Sequence, residues 1–166
     1  MSKIIEKFTY GHYILTALKK SEDLETRDKD YIAAGTLNWA AQVSFSPQMI
    51  AVAVGQKSDL NETIDYSGHF TIHLLSDQHR DHVNKFSQKS TIENGKINGV
   101  DFEKKHDQAI LKDSLGYLVC RVKESMNTGD HRTYFGEVIH EQLNGDEKAL
   151  CTNHLSLQYT EEKAAI

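Results

Sequence analysis

The chain has 166 residues, enough for one compact core and too few for two comfortable ones. Hydrophobic residues make up 39% and charged residues 26%, ordinary globular usage that argues against a disordered chain or a helical membrane protein. The 19 Lys and Arg against 24 Asp and Glu leave a formal charge of −5 with the cations scattered, which disfavours nucleic acid as a partner because backbone binding needs clustered cations.

No run reaches the roughly 18 apolar residues of a membrane span, and residues 1–10 lack a signal-peptide core. Cys120 and Cys151 form no C-x-x-C and are too few for a disulfide framework. A single proline, Pro47, leaves no visible linker. The expectation is one domain over residues 1–166, cytoplasmic, with reduced thiols and no membrane contact.

Residues 8–19 are aromatic and β-branched and predict a strand, followed by a polar connection from Lys20 to Asp30. Tyr31 to Ser44 reads as strands entering and leaving a bend, with Gly35 marking a close approach to the backbone. Ile50, Val52 and Val54 alternate with Ala51 and Ala53, which fits a strand buried on both faces. Ser58 before Asp59 and Glu62, with Leu60, Ile64 and Tyr66 at helical spacing and Gly68 as the stop, predicts a short helix. Phe70, Ile72 and Leu74 mark a half-buried strand. Residues 77–89 form a second helix with a thin apolar face, and Ser90 to Asp107, with Asn94-Gly95 and Asn98-Gly99, reads as a surface excursion. Leu118, Cys120 and Val122, then Arg132 to Leu143, predict adjacent antiparallel strands joined at Asn127 to Asp130. A last strand is expected at His154 to Tyr159. The sum is a mainly β fold, an antiparallel β-barrel with flanking helices.

Nine histidines invite a metal, but His69 and His73 are too far apart along a strand for one ion, and His79 with His82 lacks a third local ligand. No metal is expected, and these histidines read as solvated. Three stretches stand apart. Residues 35–47 mix small residues, hydrogen-bonding side chains and the only Trp; they suit either the rim of a flat heteroaromatic ligand or a strand with a polar outer face. Lys57 and Ser58 open a helix, where free N–H groups favour a phosphate, although N-capping alone accounts for Ser58. His131, in Gly129-Asp130-His131, precedes a strand in which Gly136 allows something to approach the backbone.

In order and spacing these stretches resemble the flavin reductase-like family of the FMN-binding split barrel. The likeness runs from Gly35-Thr36-Leu37-Asn38-Trp39-Ala40-Ala41-Gln42-Val43-Ser44 into Ser46-Pro47. It continues through Lys57-Ser58 and Ser67-Gly68-His69-Phe70, and closes at Gly129-Asp130-His131 and Gly136-Glu137-Val138. It implies a Greek-key split β-barrel assembled as a homodimer, with FMN, or else FAD, near the subunit boundary. It places Thr36, Asn38, Trp39, Ala41, Gln42, Val43 and Ser44 around the isoalloxazine and ribityl chain, Lys57 and Ser58 near the phosphate, and His131 as the catalytic residue facing flavin and nicotinamide. The implied activity is NAD(P)H-dependent flavin reduction, with hydride passing to flavin N5 and electrons leaving to a monooxygenase or another redox partner protein. The alternative is an FMN-holding electron-transfer protein that does not itself oxidise NAD(P)H.

Overall fold

The computed structural model describes residues 2–21 and 30–151. The expected strand at His154 to Tyr159 and most of the connection before Asp30 lie outside the described residues. In chain order the strands are β1 (Tyr13–Lys19), β2 (Tyr31–Leu37), β3 (Ala40–Phe45) and β4 (Gln48–Gly55). Helix α1 (Asp59–Ser67), β5 (His69–Leu74) and helix α2 (Arg80–Lys85) follow. The short strands β6 (Ile92–Glu93), β7 (Lys96–Ile97), β8 (Val100–Lys105) and β9 (Gln108–Leu111) come next, and the long β10 (Gly116–Thr128) and β11 (His131–Leu143) close the series.

Seven strands form one antiparallel sheet in the order β2-β1-β5-β10-β11-β4-β3. Its two edge strands, β2 and β3, are consecutive in the chain and separated only by Asn38 and Trp39. The sheet must therefore curl until its edges meet at one corner, which makes a split barrel. Register shifts at Val119/Cys120 and Val122/Glu124 bend the long β10–β11 ribbon into that curve. The edge of β2 is covered: Ser90 Oγ donates to Ala34 O, Ala34 N donates to Ser90 Oγ, and Thr36 N donates to Phe86 O. The hairpin between β3 and β4 turns at Ser46-Pro47, whose peptide bond is cis.

Alternation sets the layers. Leu15, Ala17, Ala33, Val52, Phe70, Ile72 and Tyr134 fill the barrel interior. The intervening residues of β1 and β2, including Ile14, Leu18 and Ile32, pack outward against Val83 of α2, Phe86 just after it, and Ile97, Val100 and Leu111 of a second sheet. That sheet has the order β6-β7-β8-β9 and replaces the expected excursion over Ser90 to Asp107. Its first two strands have only two residues each, too few to show a period, yet its two-residue turns at Asn94-Gly95, Asn98-Gly99 and His106-Asp107 all have positive φ, the geometry of tight hairpins.

The two sheets are fastened by polar groups. Leu111 N donates to His73 Nε2 at 3.0 Å, so the ring proton sits on Nδ1, which donates to Ile14 O at 3.1 Å. Thr16 Oγ1 adds a donation to Ala109 O at 2.7 Å. Strand β5 is consequently buried on both faces rather than one, with Thr71 and His73 as covered as Phe70. In β4 the reverse holds: Ile50, Val52 and Val54 are buried, whereas Ala51 and Ala53 are only half-buried.

Helix α1 starts at Ser58 and stops at Gly68 in the left-handed region with φ 69°. Leu60 and Ile64 enter the barrel core, but Tyr66, expected on the same face, is half exposed. The close approach expected at Gly35 is that of α1: a Cβ there would lie 2.9 Å from Leu60 Cδ1. Gly136 likewise makes room for the core, because a Cβ would meet the Phe70 ring at 2.7 Å and Cys120 Cβ at 2.8 Å.

Candidate functional site

The corner that closes the barrel also gathers the residues of interest. Asn38 is buried, 7% exposed, and its side chain makes no hydrogen bond among the described residues. Trp39 projects from the corner, 42% exposed, and is anchored by Ala53 N donating to Trp39 O at 3.0 Å. Across from it, β4 and β11 pair so that Gly55 lies opposite His131. This register sets the β4–α1 loop beside the β10–β11 turn, and Gln56 binds them together. Gln56 N donates to Asp130 O at 3.0 Å, and its side-chain amide donates to Gly129 O at 2.8 Å and His131 O at 3.2 Å.

Held this way, the His131 ring meets Trp39 with centroids 4.6 Å apart and planes inclined by 50°. Asp130 Oδ1 lies 2.6 Å from His131 Nδ1. A carboxylate accepts, so the shared proton belongs to Nδ1 and Nε2 is left for another group. The His131 N–H also holds the Asp130 carboxyl below the usual carboxylate range. Lys57, the residue after Gln56, is exposed and makes no ion pair among the described residues.

The remaining candidates divide by what their polar atoms already do. Ser58 Oγ donates to Gly55 O at 2.7 Å and accepts from Asn61 N at 3.2 Å, so the hydroxyl is committed to capping α1. Thr36 Oγ1 donates to Val83 O at 2.8 Å, which turns that side chain toward α2. Ala41, Gln42 and Val43 are exposed along β3 and Ser44 is half-buried; Gln42 Nε2 donates to Ser44 O at 3.1 Å. Ala41 pairs with Ala51 in the β3–β4 register, and Ala51 and Ala53 pair with Phe135 and Thr133 of β11. Cross-strand partners share a face, so Ala41, Ala51 and Ala53 leave a shallow strip beside the Trp39–His131 corner, bounded on β11 by Phe135 and Thr133.

The structure thus brings Asn38, Trp39, Lys57 and His131 to one corner and lays Ala41 to Ser44 along its open edge. Ala51, Ala53, Gln56 and Asp130 belong to the same surface and were not singled out from the sequence. For Asp130 the signal was its adjacency to His131; for the alanines it was an alternation read as two-sided burial. A cleft lined by Leu18, Lys20, Ser21, Asp30, Lys104 and His106 contains none of these residues.

His79 and His82, expected to be solvated, are buried, as is His73. His79 and His82 are 7% and 5% exposed and both point Nε2 at Asp113, at 3.3 and 2.9 Å. His79 Nδ1 accepts from Ser76 N at 3.0 Å. Among the described residues no three His, Cys, Asp or Glu side chains are arranged to hold a metal ion. Burial pushes the Cys120 thiol up to about 12, so it remains a protonated core residue.

The flavin reductase like domain family matches residues 5–161, and the chain belongs to that family. It is 31% identical over 110 residues to a protein of Archaeoglobus fulgidus, covering 63% of this chain and 62% of that one. It is 23% identical over 156 residues to the putative diflavin flavoprotein A 3 of Nostoc sp., covering 93% of this chain but 26% of that protein. A third relative is the reductase component of the 4-nitrophenol 4-monooxygenase/4-nitrocatechol 2-monooxygenase of Rhodococcus opacus, 26% identical over 64% of this chain and 56% of that one. The chain therefore spans about a quarter of the diflavin protein's length and under two thirds of the other two.

Among solved structures it is similar to the Streptomyces globisporus NADH:FAD oxidoreductase SgcE6, with a TM-score of 0.74 and 16% identity over 90% of this chain and 79% of that one. It is also similar to the flavin reductase PheA2, with a TM-score of 0.71 and 22% identity over 91% and 93% of the two chains. These likenesses establish a shared split-barrel fold.

The residues at the corner suit a flavin. Its ring needs a flat apolar wall and polar groups at its rim; the alanine strip offers the first, and the unpartnered amide of Asn38 with Nε2 of the largely buried His131 ring offers the second. Lys57 supplies an uncommitted cation for a phosphate.

Proposed function

We propose that this domain is an NAD(P)H-dependent flavin reductase that holds FMN against the Trp39–His131 corner. The observation that carries the reading is this corner, in a flavin reductase-like chain, with an exposed lysine one residue beyond the glutamine that clamps the His131 turn. When bound, the flavin supplies the hydride-accepting chemistry. Trp39 and the alanine strip orient the flat ring, and Asn38 fills its hydrogen bonds from the rim. Lys57 neutralises the phosphate. His131, fixed by Asp130 and Gln56, stands where a nicotinamide would stack, so its task is positioning and electrostatics rather than proton removal.

The working unit proposed is a homodimer. Trp39, Val43 and Phe45 are 42%, 50% and 91% exposed along β3, an apolar edge that a second copy would cover while finishing the wall of each site. The electrons would pass to a monooxygenase or another redox partner, as the name of the Rhodococcus opacus relative suggests. FAD is the other cofactor the site would accept.

A second reading keeps FMN permanently and relays electrons between proteins. It is favoured by the diflavin relative, of which a stretch like this chain is only about a quarter. The absorption spectrum of the purified protein separates the two. Yellow colour bleached by NADH or NADPH is expected for the reductase. Colour that resists both nucleotides but yields to dithionite points to the relay, and protein that takes up no FMN overturns both.

A further inference from the structure

The rings at the corner do not end with Trp39. Tyr10 lies beside it with centroids 6.5 Å apart, and Phe8 lies 6.2 Å beyond Tyr10 with the two planes only 17° from parallel. Phe8, Tyr10, Trp39 and His131 therefore form a continuous row leading away from the corner just before β1. Phe8 is 61% and Trp39 42% exposed, so the row presents contiguous ring surface to solvent rather than a lone apolar side chain.

The geometry points to a second base-binding ledge: Phe8, Tyr10 and the outer face of Trp39 take the adenine ring of a dinucleotide whose redox-active end lies at His131. This rests on the flavin reductase reading and extends it to the half of the dinucleotide that does no chemistry. A purine needs π-faces more than specific hydrogen bonds, and successive aromatic side chains provide them. Continuity with the corner gives the ledge its direction. Two dinucleotides carry an adenine, FAD and NAD(P)H, and the ledge recognises the chemistry they share.

Trp39 is the only tryptophan, so its emission reports the ledge directly and without turnover. AMP titrated into flavin-free protein should quench that emission saturably. Phe8→Leu with Tyr10→Leu should raise the AMP dissociation constant about tenfold, the scale of one lost base stack, while leaving FMN affinity unchanged. Phe8→Leu alone, at an exposed ring, should move it the same way by less. If the adenine belongs to FAD, wild-type protein prefers FAD to FMN and the double variant loses that preference. If it belongs to the nicotinamide nucleotide, the variant raises KM for NADH but not for reduced nicotinamide mononucleotide.

The ledge is overturned if AMP fails to change the emission, if it binds the double variant as tightly as wild type, or if the emission follows protein concentration instead, which would mean that a second copy covers the row. FMN titration of the same samples keeps the two readings apart: AMP binding without FMN binding removes the flavin site and leaves the ledge, and the converse removes the ledge alone.

Discussion

His131 and Lys57 do their proposed work through different forces, and substitution should separate them. His131→Ala removes a ring seated on Trp39 and held by Asp130, so NAD(P)H-dependent turnover should fall at least tenfold with less effect on the FMN dissociation constant; equal activity would take His131 out of the site. Lys57→Ala removes a charge-assisted contact and should weaken FMN about tenfold, while riboflavin, which lacks the phosphate, should bind both proteins alike in fluorescence titrations. Both residues were legible in the sequence through their neighbours, Gly129-Asp130 and Ser58. What could not be read was which polar atoms remain available. Ser58 and Thr36 looked as suitable as Asn38, yet their hydroxyls are spent on Gly55 O and Val83 O, and those partners are set by helix packing. For Ser58 the role found is the cap: Ser58→Ala should destabilise the fold by about 1 kcal/mol in chemical denaturation.

At the level of elements, the join between barrel and second sheet depends on a neutral histidine. Burial pushes the His73 pKa down to about 4 from an ordinary 6.5, and both of its nitrogens are committed to backbone groups of other strands. Below pH 6.5 the unfolded chain binds a proton that the folded chain refuses. Stability is therefore full above 6.5 and declines as pH falls toward 4, by about 3 kcal/mol at roughly 1.4 kcal/mol per pH unit. Burial of His12 and His82 acts in the same direction. Urea midpoints across this range should show the decline, and His73→Leu should be less stable at pH 7 but flatter between 6.5 and 4. Alternating Leu118, Cys120 and Val122 made β10 readable, and Asn94-Gly95 marked a true turn. The sheet around that turn was hidden because two-residue strands have no period, and the burial of His73 was hidden because its partners, Ile14 and Leu111, lie far away in the chain.

For the whole molecule the asymmetry of the two barrel edges matters most. The Ser90 hydroxyl and the Phe86 carbonyl bond the backbone of β2, whereas β3 presents Val43 and Phe45 outward. Phe45→Glu should shift the proposed dimer toward monomer in light scattering and weaken FMN binding with it. Unchanged mass and affinity would show that β3 is not the interface. The barrel class was readable from strands without a βαβ rhythm; the pairing order that sets Trp39 against His131 was not, because it is a property of register rather than of any local pattern.

The two-residue corner has a consequence for how such a chain can vary. Residues on a strand alternate between faces, so inserting or deleting a single residue at Asn38-Trp39 would turn β3 over. Ala41 would then face inward, and Ala40, which lies opposite the buried Val52, outward. Exchanging a side chain at the corner would cost contacts of the proposed site, whereas changing the count of residues would undo the face pattern of the whole strand. A substitution at these two positions should therefore be felt in ligand binding alone, and a change of length in the pairing of β3 as well.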